Sequence, residues 1–129
     1  MKPTKINYST AQIWHRNCEE LLDIYQNDDS LTMDMEWAIL RNYKTLSQVV
    51  NGFKKQQSKL ETKFGSLQSD GSYVLDTTSE VTMQLYQKEL DNLKQTLIRI
   101  GIEKIDHKNL IGRNGVSLEV MALLDFMIN

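Results

Sequence analysis

The apolar residues between positions 31 and 64 recur at heptad spacing, and this is the strongest pattern in the chain. Steps of four and three residues alternate without interruption, with one polar member, through Ile39, Tyr43, Leu46, Val50, Phe53, Gln57, Leu60 and Phe64. Side chains at these steps share one face of a helix. The pattern predicts one long helix that begins between Leu31 and Met35 and ends at Phe64, with Gly65 as its left-handed C-terminal residue.

A shorter amphipathic helix is predicted upstream, from Ser9 to Tyr25. Its apolar residues fall at helical spacing in Trp14, Cys18, Leu21 and Tyr25. Ser9 and Gln12 have the spacing of a capping box at the start of this helix. The polar residues 26–30 then form a connection whose length suits two antiparallel helices. Residues 8–65 are therefore predicted to form a long helical hairpin with coiled-coil-like heptads.

Residues 66–129 are predicted to form a strand, a helix, a second strand and a terminal helix. A turn signal at residues 69–72 precedes the short strand Tyr73–Leu75. Thr77 and Glu80 have the spacing of a capping box that opens the following helix. The apolar residues of that helix again lie at helical spacing, in Tyr86, Leu90, Leu93 and Leu97.

The spacing of apolar residues changes from helical to alternating at Ile98. The alternation predicts a strand over Ile98–Ile105, which we expect to pair with Tyr73–Leu75 as a two-stranded ribbon. Ser117 is the expected N-cap of a final helix with an apolar stripe formed by Leu118, Met121, Leu124 and Ile128. The predicted fold class is therefore mainly α with a minor β element, in a single domain over residues 1–129.

Composition narrows the classes of function. The 129 residues carry a net charge of −2 with a pI of about 5.7, which argues against direct binding of nucleic acid. No apolar run approaches the roughly 18–20 residues that span a bilayer, so no membrane association is expected. Lys2 and Lys5 are not followed by an apolar segment of the kind found in signal peptides, and we expect the cytoplasm of the host cell, or a virion, as the location.

Charge is divided unevenly along the predicted hairpin. Residues 17–40 contain seven acids and no Lys or Arg, whereas residues 41–64 contain six bases and one acid. Acids near the start of a long helix and bases near its end complement the helix dipole, which is a sufficient structural explanation. An interaction surface is the alternative explanation.

The chain offers few candidates for chemistry. His15, Cys18 and Glu19 lie on one helix face as metal ligands would, yet Cys18 falls on the apolar stripe and a buried thiol explains it. Cys18 and His107 are a possible nucleophile and base, but nothing in the sequence places either residue where a thiolate would be stabilised. An anion could bind the loop at residues 112–115, although a plain turn explains that sequence. We predict no catalytic residue, no cofactor, no metal site and no small-molecule substrate.

A protein interface is predicted at the distal end of the long helix. The heptad series is longer than one short antiparallel neighbour can cover, so Phe53, Gln57, Leu60 and Phe64 are the candidate interface residues. A single polar residue in such a seam, here Gln57, can set the register of two helices. The partner would be another protein or a second copy of this chain. The alternative is that helices of the same chain cover that end.

Three short segments resemble one family. Lys63-Phe64-Gly65, Asp70-Gly71-Ser72-Tyr73 and Leu124-Asp125-Phe126-Met127-Ile128 resemble the corresponding segments of small phage and prophage proteins of unknown function, grouped as DUF1617. The resemblance implies a helical accessory or virion-associated phage protein that acts by binding protein chains, and it implies no catalytic residue. The alternative is an inhibitor of a host protein that acts through the acidic residues 17–40.

Overall fold

The computed structural model describes residues 3–25, 33–76, 78–106 and 118–128. The elements are β1 (Pro3–Asn7), α1 (Tyr8–Tyr25), α2 (Met33–Phe64), β2 (Gly65–Leu67), β3 (Tyr73–Leu75), α3 (Glu80–Gln95), β4 (Leu97–Gly101) and α4 (Leu118–Leu124), with a 3-10 turn at Asp125–Met127. Helices dominate, and the strands form two small antiparallel pairs. The predicted fold class, mainly α with a minor β element, is confirmed.

Helix α2 is the longest element and begins and ends where its heptad pattern predicts. Its buried side chains lie along the predicted face, in Met35, Ala38, Ile39, Asn42, Leu46, Val50 and Phe53. Helix α1 packs antiparallel on this face, because Tyr8 meets Phe53 near one end of α1 and His15 meets Ser47 nearer the middle. Helix α3 covers the distal part of the same face with Tyr86.

The strands pair differently from the prediction. Strand β4 pairs with β1, with Ile98 opposite Ile6, whereas β3 pairs with β2 through a hairpin that turns at residues 68–72. The predicted ribbon of Ile98–Ile105 with Tyr73–Leu75 is therefore wrong. The short turn brings β3 back onto the backbone that immediately precedes it, and β4 takes a partner from the other end of the chain. Strand β1 was missed because Ile6 is its only large apolar residue.

One helix cap and one glycine also differ from the prediction. Asn7, not Ser9, caps α1, because its Oδ1 accepts the backbone N–H of Thr10 at 2.8 Å. Ser79 caps α3 by accepting the N–H of Thr82. Gly65 belongs to β2 and has no positive φ. A Cβ there would lie 2.4 Å from the carbonyl oxygen of Glu61, so glycine is needed for a close backbone approach and not for a left-handed turn.

The C-terminal elements pack on α1 and on the segment after β4. The Trp14 ring stacks on Phe126 at 5.1 Å, and the backbone N–H of Ile105 donates to the carbonyl of Met127 at 2.7 Å. Leu118, predicted to lie on the apolar stripe of this helix, is almost fully exposed, as is much of Leu97. The predictions for residues 26–30, Thr77, His107, residues 112–115 and Ser117 lie outside the described residues.

One buried amide joins α2 to the segment after β4. Asn42 is 1% exposed, and its Nδ2 donates to the carbonyl of Glu103 at 2.9 Å. In return the backbone N–H of Glu103 donates to Asn42 Oδ1 at 2.7 Å. The side chain therefore pairs with the peptide as a neighbouring strand would. The Nδ2 also lies 3.6 Å from Met127 Sδ. Because the amide is buried, its hydrogen bonds must be made within the protein.

We predict that Asn42→Ala lowers the free energy of unfolding by about 2–4 kcal/mol, because it leaves the N–H and C=O of Glu103 without their partner in a buried setting. Asn51→Ala on the exposed face of the same helix is the matched control and should change stability by less than about 0.5 kcal/mol. Urea unfolding followed by circular dichroism measures both variants. Equal losses in the two would contradict the role assigned to Asn42.

Candidate protein interface

The structure places the four predicted interface residues along the distal half of α2. Phe53 is fully buried against Tyr86 and Leu90 of α3, and these three residues form the distal cluster. Leu60 and Phe64 are half-buried and pack on the edge of this cluster, and the Gln57 side chain is also half-buried. Helix α3 therefore covers much of the predicted interface from within the same chain.

A groove remains open between the distal parts of α2 and α3. Its volume is about 370 Å³, and Leu60 and Leu93 supply its apolar side chains. Its polar side chains include Lys63 of α2 and Glu89 of α3, which form an ion pair of 2.8 Å. Both members of this pair are partly exposed, so the pair contributes little to stability. The groove is therefore a small surface with both apolar and charged side chains. Because α3 covers Phe53, self-association through this end would have to use the groove.

Self-association through this end stays a prediction, and Leu60 is the residue that tests it. An oligomer that contacts the groove should be dissociated by Leu60→Glu, which puts a charge beside Leu93, and not by Lys55→Glu, at an exposed position of α2 outside the groove. Sedimentation equilibrium at micromolar concentration measures the mass. A monomer of 15.0 kDa for the unmodified chain would contradict the prediction.

A second apolar surface lies at the other end of α2, on the face opposite the core. Met33, Trp37 and Leu40 are 73%, 51% and 43% exposed, and we call these three residues the Trp37 patch. Their spacing of four and three residues places them on one side of the helix. The heptad analysis missed this surface because it followed only the buried stripe. The signal was present in the sequence as apolar residues that fall outside that stripe.

The patch continues into a groove between α1 and α2. This groove has a volume of about 420 Å³ and is lined by Leu40 of the patch, Leu22, Tyr43 and the carboxylate-bearing side chains of Glu19 and Asp23. An apolar floor with charged groups at its edge is the usual arrangement of a protein-binding groove.

The side chain of His15 lies between α1 and α2, in contact with a carboxylate and a hydroxyl. Its Nδ1 is 3.3 Å from Glu19 Oε1 and its Nε2 is 3.0 Å from Ser47 Oγ. A carboxylate, an imidazole and a hydroxyl in this order serve in acyl transfer, which also requires free N–H groups to stabilise an oxyanion. The N–H groups around Ser47 lie within α2 and donate to the carbonyls of the helix itself. We therefore interpret His15 as an interhelical contact.

Cys18 is unsuited to act as a nucleophile or as a metal ligand. Burial and, to a lesser extent, the neighbouring Glu19 carboxylate raise the pKa of its thiol to about 12. At neutral pH the thiol is therefore protonated, and the thiolate is the form that attacks or binds metal. Within the described ranges no three His, Cys, Asp or Glu side chains come together as a metal site requires.

The Cys18 thiol should make stability depend on alkaline pH. Its pKa is about 12 in the folded chain against 9.0 for a free thiol, so the unfolded chain loses the proton first. The contribution is therefore complete below pH 9.0 and is lost progressively as the pH rises toward 12. Urea unfolding across this range should show a steeper loss for the unmodified chain than for Cys18→Ala. Parallel curves would contradict the expectation.

The chain matches no model of a known protein family, no curated protein and no solved structure in the comparisons made. The resemblance to small phage proteins therefore stays a prediction. None of the helices in residues 3–25, 33–76, 78–106 and 118–128 has the length and apolar character needed to cross a bilayer.

Proposed function

We propose that this chain acts by binding another protein through the Trp37 patch and not by catalysing a reaction. The observation that carries the proposal is the half-exposed Trp37 between the exposed Met33 and Leu40. Tryptophan and methionine are enriched in the centres of protein interfaces, where their burial contributes much of the binding free energy. Keeping three such side chains in water on one helix face is unfavourable unless a partner covers them.

The chemistry of the described side chains supports a binding role. The Cys18 thiol is buried and protonated at neutral pH. The Ser47 hydroxyl lies beside the His15 imidazole, but it is in the middle of α2, where the backbone N–H groups donate to carbonyls of the helix. Neither residue therefore has the surroundings that activate a nucleophile.

The setting that we propose is a phage, as an accessory or virion-associated protein, and the support for it is the resemblance predicted for three short segments of the sequence. A second candidate function is inhibition of a host protein through the acidic region. One observation favours it: the Trp37 patch lies inside residues 17–40, where acids outnumber bases by seven to none. Both functions use the same surface, so the identity of the bound protein distinguishes them.

A photo-cross-linker at the patch tests the proposal. We expect benzoylphenylalanine in place of Trp37 to give a discrete cross-linked protein in cells that produce the chain, because a bound partner would lie against that side chain. Benzoylphenylalanine in place of Leu85, an equally exposed residue of α3, is the matched control and should give none. The added change Leu40→Glu should abolish the product at position 37. No product there, or equal products at both positions, would contradict the proposed function.

A further inference from the structure

We propose that the partner presents a cationic amphipathic helix to the Trp37 patch, with apolar side chains against the patch and Lys or Arg at its edges. This inference rests on the proposed function and specifies the chemistry of its partner. It follows from the shape of the apolar surface, from the charges around it and from the side chains that the other described helices expose.

The apolar surface has the shape that receives a helix. Met33 and Leu40 are seven residues apart on α2, which separates them by about 10 Å along the helix axis. The groove lined by Leu22 and Tyr43 runs beside this strip and adds depth on the side of α1. A strip with an adjoining groove between two helices suits the apolar face of a third helix, whose anchors recur every three or four residues.

Carboxylates surround this surface. Glu19 and Asp23 line the groove on the α1 side, and Asp34 and Glu36 lie in the first turn of α2. The nearby cation Arg41 is already paired, with its Nη1 2.8 Å from Glu103 Oε1. The same guanidinium lies 5.8 Å from the centre of the Trp37 ring. The indole face therefore already accommodates a cation, as cation–π attraction predicts.

The acidic surface ends on α2 at the cation Lys44. This residue is exposed on α2, one turn beyond Leu40. The carboxylates of Asp34 and Glu36 lie at the opposite end of the patch. The surface is therefore most acidic toward the start of α2, and the cations of the partner should be concentrated there.

Among the described residues, the distal half of α2 in a second copy supplies the charge of such a partner without its apolar side chains. Helix α3 exposes Val81 and Leu85 but carries three acids and two bases, so it is not cationic. The distal half of α2 carries exposed lysines, including Lys54, Lys55 and Lys59. Over residues 41–64, however, no large apolar side chain is exposed. Nucleic acid has the same sign of charge as the patch and is repelled by it. A separate protein with a cationic amphipathic helix satisfies both requirements.

Calorimetric titration with two designed peptides tests the inference. The first is an amphipathic peptide of roughly 18 residues with leucine on one face and lysine elsewhere, long enough to form a helix in water. The second carries glutamate in place of every lysine. We expect the lysine peptide to bind with micromolar affinity that weakens as salt is raised, and the glutamate peptide to bind at least about tenfold more weakly.

Variants of the full chain locate the binding. Leu40→Ala should weaken the lysine peptide by about tenfold. The same change at Leu85, which is exposed on α3, should leave the affinity unchanged. Glu36→Gln should reduce the dependence on salt while the melting temperature stays the same, a readout that separates lost charge from lost folding.

Three outcomes of the titrations would overturn the inference. They are equal affinity for the two peptides, no binding of either peptide, and equal effects of Leu40→Ala and Leu85→Ala. Dimerisation that Trp37→Ala abolishes would also overturn it, because a second copy would then be the occupant. If the cross-link at position 37 persists while the inference fails, the surface binds a protein of different chemistry. If the cross-link is also missing, the proposed function itself fails.

Discussion

The amide of Asn42 is the polar contact that ties the C-terminal part of the chain to α2. It replaces a strand partner for Glu103 and so holds the segment after β4 against the first third of α2. That segment in turn binds the C-terminal turn through Ile105 and Met127. A substitute that lacks either the donor or the acceptor leaves one of these buried polar groups unpaired. The Asn42 amide therefore helps to fix the positions of α2, the segment after β4 and the C-terminal turn relative to one another.

The length of α2 explains why its two ends differ. With 32 residues it extends about 48 Å, whereas the 18 residues of α1 cover about 27 Å. Helix α3 therefore has to cover the distal part of the same face, which buries Phe53 and half-buries Leu60 and Phe64. All of this packing uses one face of α2. The opposite face stays in water, and only at the start of the helix is it apolar.

This division connects the fold with the proposed function. Packing of α1 and the Asn42 contact make the first half of α2 a rigid support, so the Trp37 side chain is presented without ordering a flexible segment on binding. The acidic residues around it would speed the encounter with a cationic partner and make it sensitive to salt. The distal groove, in contrast, has only two apolar side chains, Leu60 and Leu93, in its lining. Its charged residues Lys63 and Glu89 already pair with each other.

Local sequence determined the helices, because a heptad or 4-3-4 spacing specifies which face is apolar whatever covers it. It thereby predicted the bounds of α2 and the mainly α fold. It could not determine what covers that face. Of the predicted interface residues Phe53, Gln57, Leu60 and Phe64, Phe53 is buried against α3 of the same chain, and the other three are half-buried. The tertiary structure alone decided that β4 pairs with β1, that Asn42 is buried and that Trp37 is exposed. Each of these depends on contacts between residues far apart in the chain, which spacing along the sequence does not encode.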